Sequence, residues 1–155
     1  MDIDTLLVHE GIGEILFGMF KEDILNNFDS RYLEELDDGG DVDIHYPELG
    51  LSFTFWQEFK GRLGSITSKR ENTTLSGVKL IGRNKNDVRK FINSKLKSGI
   101  SEENGCEHED GDIQEWIDAN DNSLSFWFLN DRLYQICWSC EWADNEQPKW
   151  KNTQV

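Results

Sequence analysis

Residues 15–24 read ILFGMFKEDI and residues 79–88 read KLIGRNKNDV, the same pattern 64 positions apart. Leu16-Phe17-Gly18, Lys21 and Asp23-Ile24 correspond to Leu80-Ile81-Gly82, Lys85 and Asp87-Val88. The correspondence runs on. Leu51-Ser52-Phe53 returns as Leu124-Ser125-Phe126, 73 positions later, and Arg62-Leu63 with Ile66 returns as Arg132-Leu133 with Ile136, 70 positions later. Offsets that drift in this way mean matching elements joined by loops of unequal length. An internal repeat is a strong constraint, because a repeated unit usually cannot bury its apolar face without its neighbour. The 155 residues therefore predict a single domain, 1–155, with one unit at about 12–70, a second at about 76–142 and a tail at 143–155.

Within each copy the periodicities predict the same order of elements. Ile12 to Phe17 reads as a short strand stopped by Gly18, and Phe20, Ile24, Leu25 and Phe28 form the apolar stripe of a helix. Asp29-Ser30 can cap a second helical turn through Leu36, before the loop Asp37-Asp38-Gly39-Gly40-Asp41. Leu51 to Phe55 alternates with period two, Lys60-Gly61-Arg62 is a turn, and Leu63 to Thr67 is the returning strand. In the second copy Val78–Ile81 reads as a strand and Asn84–Leu96 as a helix with Val88, Phe91, Ile92 and Leu96 on one face. A polar loop over Gly99–Asp112 follows, then strands at Ile113–Ile117, Leu124–Phe128 and Leu133–Ser139, the last two joined at Asn130-Asp131. The fold class expected is α+β: two tandem β-α-β-β(-β) units forming an antiparallel sheet with helices packed on one face.

Register decides which side chains the sheet presents. A three-residue loop, Asn130 to Arg132, puts Leu124, Phe126, Phe128, Tyr134, Ile136 and Trp138 on one face and Ser125, Trp127, Gln135, Cys137 and Ser139 on the other. The first copy divides likewise, with Leu51, Phe53, Phe55 and Ile66 opposite Ser52, Thr54, Trp56, Ser65 and Thr67. A two-residue loop would exchange the faces of one strand. The polar face, punctuated by Trp56 and Trp127, is a candidate docking surface, since tryptophan is enriched at binding hot spots.

Charge narrows the class of partner. Thirty acidic residues against 16 basic ones give a net charge of −14, which disfavours nucleic acid and anionic membranes and favours a basic partner. Acids concentrate in two loops: Asp37, Asp38, Asp41 and Asp43 in the first copy, and Glu107, Glu109, Asp110 and Asp112 in the second. If the copies are related by the repeat, both loops are expected at one edge of the sheet, where they would steer a basic protein. Arg83, Lys85, Arg89, Lys90, Lys95 and Lys97 mark one basic helix, interrupted by Asp87 and read as a solvated face that acidic neighbours can pair. Met1-Asp2-Ile3-Asp4 lacks the basic start of a secretory leader, no apolar run is long enough to span a bilayer, and three cysteines do not suggest a disulfide framework. A cytoplasmic location is expected.

Motifs that carry chemistry are sparse. Cys106, His108, Cys137 and Cys140 have zinc-compatible residue types, but side chains three apart in a strand point to opposite faces, so Cys137 and Cys140 converge only if the strand turns. The acidic 107–112 stretch can hold a hard cation or supply paired carboxylates, but it lacks calcium-loop spacing. His9, His45 and His108 have no serine or cysteine nucleophile implied by spacing. No catalytic residue, metal ligand or cofactor is assigned.

Ile15-Leu16-Phe17-Gly18-Met19 followed by a short helix resembles the I-x-F-G-M segment of tandem-repeat proteins similar to β-lactamase inhibitory protein. Gly61-Arg62-Leu63 and Asp131-Arg132-Leu133 resemble the turn-and-strand segment common in that group. The resemblance covers roughly residues 12–140 and implies helices paired with an antiparallel sheet whose concave face grips an enzyme. Small acidic chains of this type also resemble immunity proteins of bacterial toxin systems, including contact-dependent growth inhibition. The function expected is a non-enzymatic immunity protein that neutralises a cognate toxin, a basic nuclease domain, by blocking its active site as the monomeric partner in a heterodimer. The alternatives are a metal-dependent hydrolase using the 107–112 loop and a peptide-binding adaptor.

Overall fold

The structure, a computed structural model, describes residues 1–150 apart from 104, 106 and 144–146. Among the described residues it is mostly sheet, with two short α-helices. The chain opens with β1 (Thr5–Leu7), β2 (Gly11–Ile12) and β3 (Ile15–Leu16), then α1 (Lys21–Leu25) and the strands β4 (Leu33–Leu36), β5 (Val42–Tyr46), β6 (Leu51–Trp56) and β7 (Arg62–Ser68). A small hairpin, β8 (Thr74–Leu75) and β9 (Val78–Lys79), leads to α2 (Lys85–Phe91). The strands β10 (Ile100–Glu103), β11 (Gln114–Ala119), β12 (Leu124–Leu129) and β13 (Arg132–Ser139) follow, and the hairpin β14 (Glu141–Trp142) and β15 (Pro148–Lys149) comes last.

The large sheet has eight strands in the order β10-β11-β12-β13-β7-β6-β5-β4, and every neighbour is antiparallel. Two four-stranded meanders meet at its centre, where Thr67 lies opposite Cys137, Ile66 opposite Trp138 and Ser68 opposite Ile136. Leu51, Phe53, Phe55, Leu63 and Ile66 are buried on its inner face, with Leu124, Phe126, Phe128, Leu133, Ile136 and Trp138 beside them. Ile24 of α1 and Val88, Phe91 and Ile92 at α2 join the same core.

A second sheet, ordered β3-β2-β1-β8-β9, helps to cover that face. It brings in Leu6, Ile12, Ile15 and Leu75, and the buried Trp138 indole N–H donates to the Gly11 carbonyl at 3.0 Å. The expected covering layer was helical only. The stretch Ile12–Phe17 is not one strand but a hairpin turning at Gly13 (φ +54°), a left-handed position that suits glycine.

Both corner segments dock on the sheet alike. Gly18 N–H donates to the Leu63 carbonyl (2.9 Å), and Leu63 N–H returns a bond to Met19 (2.7 Å). Gly82 N–H donates to the Leu133 carbonyl (2.8 Å), and Leu133 N–H returns a bond to Arg83 (2.9 Å). Gly18 and Gly82 both have φ +93°. Arg62 Nη1 donates to the Gly18 carbonyl (3.1 Å) and Arg132 Nη1 to the Gly82 carbonyl (3.3 Å).

α2 starts where Asn84 accepts the Asp87 N–H (2.9 Å), an N-cap bond that satisfies an otherwise orphaned donor. It continues as a π-type turn over Ile92–Leu96, closed by the bond from Lys97 N–H to the Ile92 carbonyl (2.8 Å).

Three expectations are corrected. Leu33–Leu36 is a strand, not a helical turn: one turn alone leaves its end groups unpaired, whereas pairing with β5 bonds this backbone. Ile100–Glu103, expected in a loop, is the opposite edge strand, paired with β11. The β12–β13 hairpin, expected with a three-residue loop, has the two-residue loop Asn130-Asp131, both at positive φ, which matches strand twist. A bulge at Trp127/Phe128 absorbs the shift. The inner face therefore keeps Leu124, Phe126, Phe128, Ile136 and Trp138 but takes Leu133, while Tyr134 stands half-buried with its hydroxyl accepting from Gln114 Nε2 at 2.8 Å. The first copy has its own bulge at Thr54/Phe55.

Candidate interaction surface

The outer face of the eight-stranded sheet carries polar and aromatic side chains in half-buried positions. Ser52, Thr54 and Trp56 of β6 and Ser65 and Thr67 of β7 form one side of the central seam. Gln135, Cys137 and Ser139 of β13 and Ser125 and Trp127 of β12 form the other. Cross-strand bonds order this face. Thr54 donates to Asp43 Oδ1 and Ser125 donates to Asp118 Oδ1, each at 2.6 Å and each between directly opposed residues. Fixed hydroxyl–carboxylate pairs lose little freedom when a partner docks.

Trp56 and Trp127 both stand on this face, but neither is isolated. Trp127 stacks on Trp116 of β11, its cross-strand partner, with ring centroids 5.0 Å apart. Sequence reasoning missed Trp116, although its alternation with Asp118 carries the outer-face signal. Trp56 is overlaid by the C-terminal hairpin: Trp142 stacks on it at 5.5 Å, and Phe59 and Trp150 complete the cluster. Asp41 and Glu58 line a cavity of about 180 Å³ beside Trp56, Phe59 and Trp142. Carboxylates beside ring faces suit a cationic side chain.

The acidic loops do not share an edge. The 37–41 loop joins β4 to β5 at the Trp56 end of β6, and the described residues 107–112, which lead into β11, lie at the Leu129 end of β12. β6 and β12 run in opposite directions, so the loops lie at diagonal corners. Parts of both loops are engaged internally. Asp37 Oδ1 accepts from Gly39 and Asp41 N–H (2.9 Å each), and Asp41 Oδ1 accepts from Gln57 N–H (2.9 Å). Asp112 Oδ1 accepts from Asn130 Nδ2 (2.9 Å) and Asp110 Oδ1 from Asp112 N–H (3.1 Å). Asp37, Asp38, Glu107, Glu109 and Asp110 are exposed.

Among the described residues, two of the six basic residues in the basic helix segment pair with the sheet next to it. Lys85 pairs with Glu115 of β11 (2.9 Å) and Arg89 with Glu102 of β10 (2.6 Å). The Arg89 guanidinium holds the Glu102 carboxyl below its usual range.

Of the candidate zinc residues, Cys137, Cys140 and His108 are described. Cys137 is half-buried beside Thr67, and burial pushes its thiol up. Cys140 lies in the core with its thiol pushed up to about 12, far from the thiolate form that binds metal. His108 Nε2 contacts Gln114 Oε1 at 3.1 Å, and Cys106 lies outside the described residues.

His45 was set aside in the sequence for want of a nucleophile partner at a familiar spacing. Its Nδ1 meets Ser52 Oγ at 2.8 Å, and its Nε2 lies 3.4 Å from Glu35 Oε2. The contact to Ser52 comes from hairpin register, His45 opposite Ser52, which a spacing rule for catalytic pairs does not detect. Among the described residues no helix is long and apolar enough to cross a membrane. Comparison with protein-family models, curated proteins and solved structures gives no match, so the reading of this chain rests on its own residues and geometry.

Proposed function

We propose that this chain is a non-enzymatic inhibitor: an immunity protein that binds a basic toxin domain, concretely a nuclease, and occludes its phosphate-binding groove. The observation that carries this reading is the ordered outer face, with tryptophan clusters toward opposite ends and acidic loops at diagonal corners, in a chain of net charge −14. A nuclease site must hold phosphates and is therefore positive, so a polyacidic protein competes with its substrate and gains association rate by steering. Trp116 with Trp127 forms the outer-face anchor, and Asp38, Glu107 and Glu109 supply solvent-facing charge. The partnership is read as a one-to-one heterodimer in the cytoplasm. The two meanders, with their matching corners and bulges, are read as copies of one β-α-β-β(-β) unit whose surfaces have diverged.

The test uses a basic nuclease domain encoded beside this chain. Co-expression restores growth, and the mixed proteins co-elute at low salt with affinity that falls as salt rises. Trp127→Ala weakens binding by about tenfold or more, the loss expected of a hot-spot residue. Separate elution at low salt, or full protection by Trp127→Ala, overturns the assignment.

A further inference from the structure

Among the described residues, Glu35 of β4 and Asp43 and His45 of β5 bring three potential ligand atoms within 4.8 Å of one another. Register places them together: Glu35 lies opposite Asp43, and His45 stands two residues further along the same face of β5. We propose that these three side chains form a zinc-binding site at the edge of the large sheet, independent of the partner-binding reading.

The supporting geometry is in the neighbours. His45 is oriented by Ser52, whose Oγ lies 2.8 Å from Nδ1, leaving Nε2 aimed at Glu35. A histidine that binds metal is typically fixed in this way through its other ring nitrogen. Asp43 is held by the Thr54 hydroxyl on Oδ1, which leaves its second oxygen as a ligand. Zinc bonds to nitrogen and oxygen of about 2.0–2.1 Å imply a tetrahedral ligand–ligand edge of about 3.4 Å. The His45 Nε2 to Glu35 Oε2 separation is already 3.4 Å. Glu35 is the exposed member, its side chain 69% exposed. One imidazole nitrogen with two carboxylates suits a borderline cation, whereas calcium and magnesium favour shells made of oxygen alone. Three protein ligands leave a fourth position for water.

The full chain, stripped of metal, is titrated with zinc chloride by calorimetry, in parallel with Glu35→Gln, His45→Ala and Cys106→Ser. One equivalent is taken up by the unmodified chain. His45→Ala and the exposed-site Glu35→Gln each weaken uptake at least tenfold, and Cys106→Ser changes it less than twofold. Glu35→Gln keeps the test valid if His45→Ala unfolds, which circular dichroism reads. Cobalt in place of zinc gives visible bands without thiolate-to-metal charge transfer. No uptake by the folded chain overturns the site, as does uptake that survives Glu35→Gln or that disappears with Cys106→Ser.

Discussion

A single exchange of bulk between two bulges explains where the largest outer-face side chains sit. In the first copy the bulge residue is Gly64, and in the second it is Tyr134. A Cβ built on Gly64 would lie 2.0 Å from the Trp56 indole. The ring therefore occupies the volume that a side chain at 64 would need, and Leu129 stands where the second copy would have its tryptophan. Trp56 also stacks on Trp142, so displacing the indole disturbs that stack. Gly64→Ala should cost about 2 kcal/mol by forcing that ring from its stack, within the range for overpacking. The cost should shrink to a few tenths in a Trp56→Ala background. A double-mutant cycle of denaturant midpoints measures it; equal costs in both backgrounds would mean that the glycine is needed for its backbone and not for the ring.

At the scale of elements, the second helix depends on the edge strand beside it. Arg89 reaches Glu102 on β10, and both side chains are about a third exposed (34% and 33%). A pair so placed contributes about 0.5 kcal/mol. The sign follows from the carboxyl. Folding lowers the Glu102 pKa from its ordinary value of 4.5, chiefly through the hydrogen bond from Arg89. The contribution is complete above that value and disappears as pH falls through the lowered one. Glu102→Gln should therefore destabilise the protein at pH 7, and the difference should fade as pH drops below 4.5 and through the lowered value, as read by urea midpoints. A constant difference across that range would assign the effect to packing.

β10 is also where sequence reading falls short. Ile100-Ser101-Glu102-Glu103 and Leu33-Glu34-Glu35-Leu36 are short and charged, with Ser101, Glu102 and all of Leu33–Leu36 exposed, and such strands look like loops because only one side of their backbone is paired. The central strands were legible because burial on one face imposes period two on Leu51–Phe55 and Leu124–Phe128. The N-terminal hairpin strands are two residues long and show no period at all. The candidate surface was legible at Trp56 and Trp127. The partners that define its sites, Trp116, Ser52 and Glu35, are set by register between strands, which a linear pattern does not encode.

The whole molecule is held at a seam that joins the two halves directly. Thr67 and Cys137 face each other at its centre, and corresponding pairs flank them, Ile66 with Trp138 and Ser68 with Ile136. That near-symmetry is broken by size. Ser68 is buried and bonded to Thr73 Oγ1 at 2.7 Å, whereas its counterpart Trp138 is the largest fully buried side chain. Trp138 belongs to the last long strand, yet its indole N–H bonds the Gly11 carbonyl in the first hairpin at 3.0 Å. One residue therefore links the start of the chain, both meanders and the shared core. Trp138→Phe removes this bond, at a cost of about 0.5–1.5 kcal/mol because the Gly11 carbonyl stays paired with Leu7 in the β1–β2 ladder, with a further contribution from the smaller ring. Because β7 and β13 share a ladder and the cluster of buried residues is continuous, the loss should be felt equally in β6 and β12. Hydrogen exchange tests this: the slowest amides of both strands should lose protection by the same free energy in Trp138→Phe, in one transition. If β12 loosens while β6 keeps its protection, the halves hold separate cores and the seam is an interface between them.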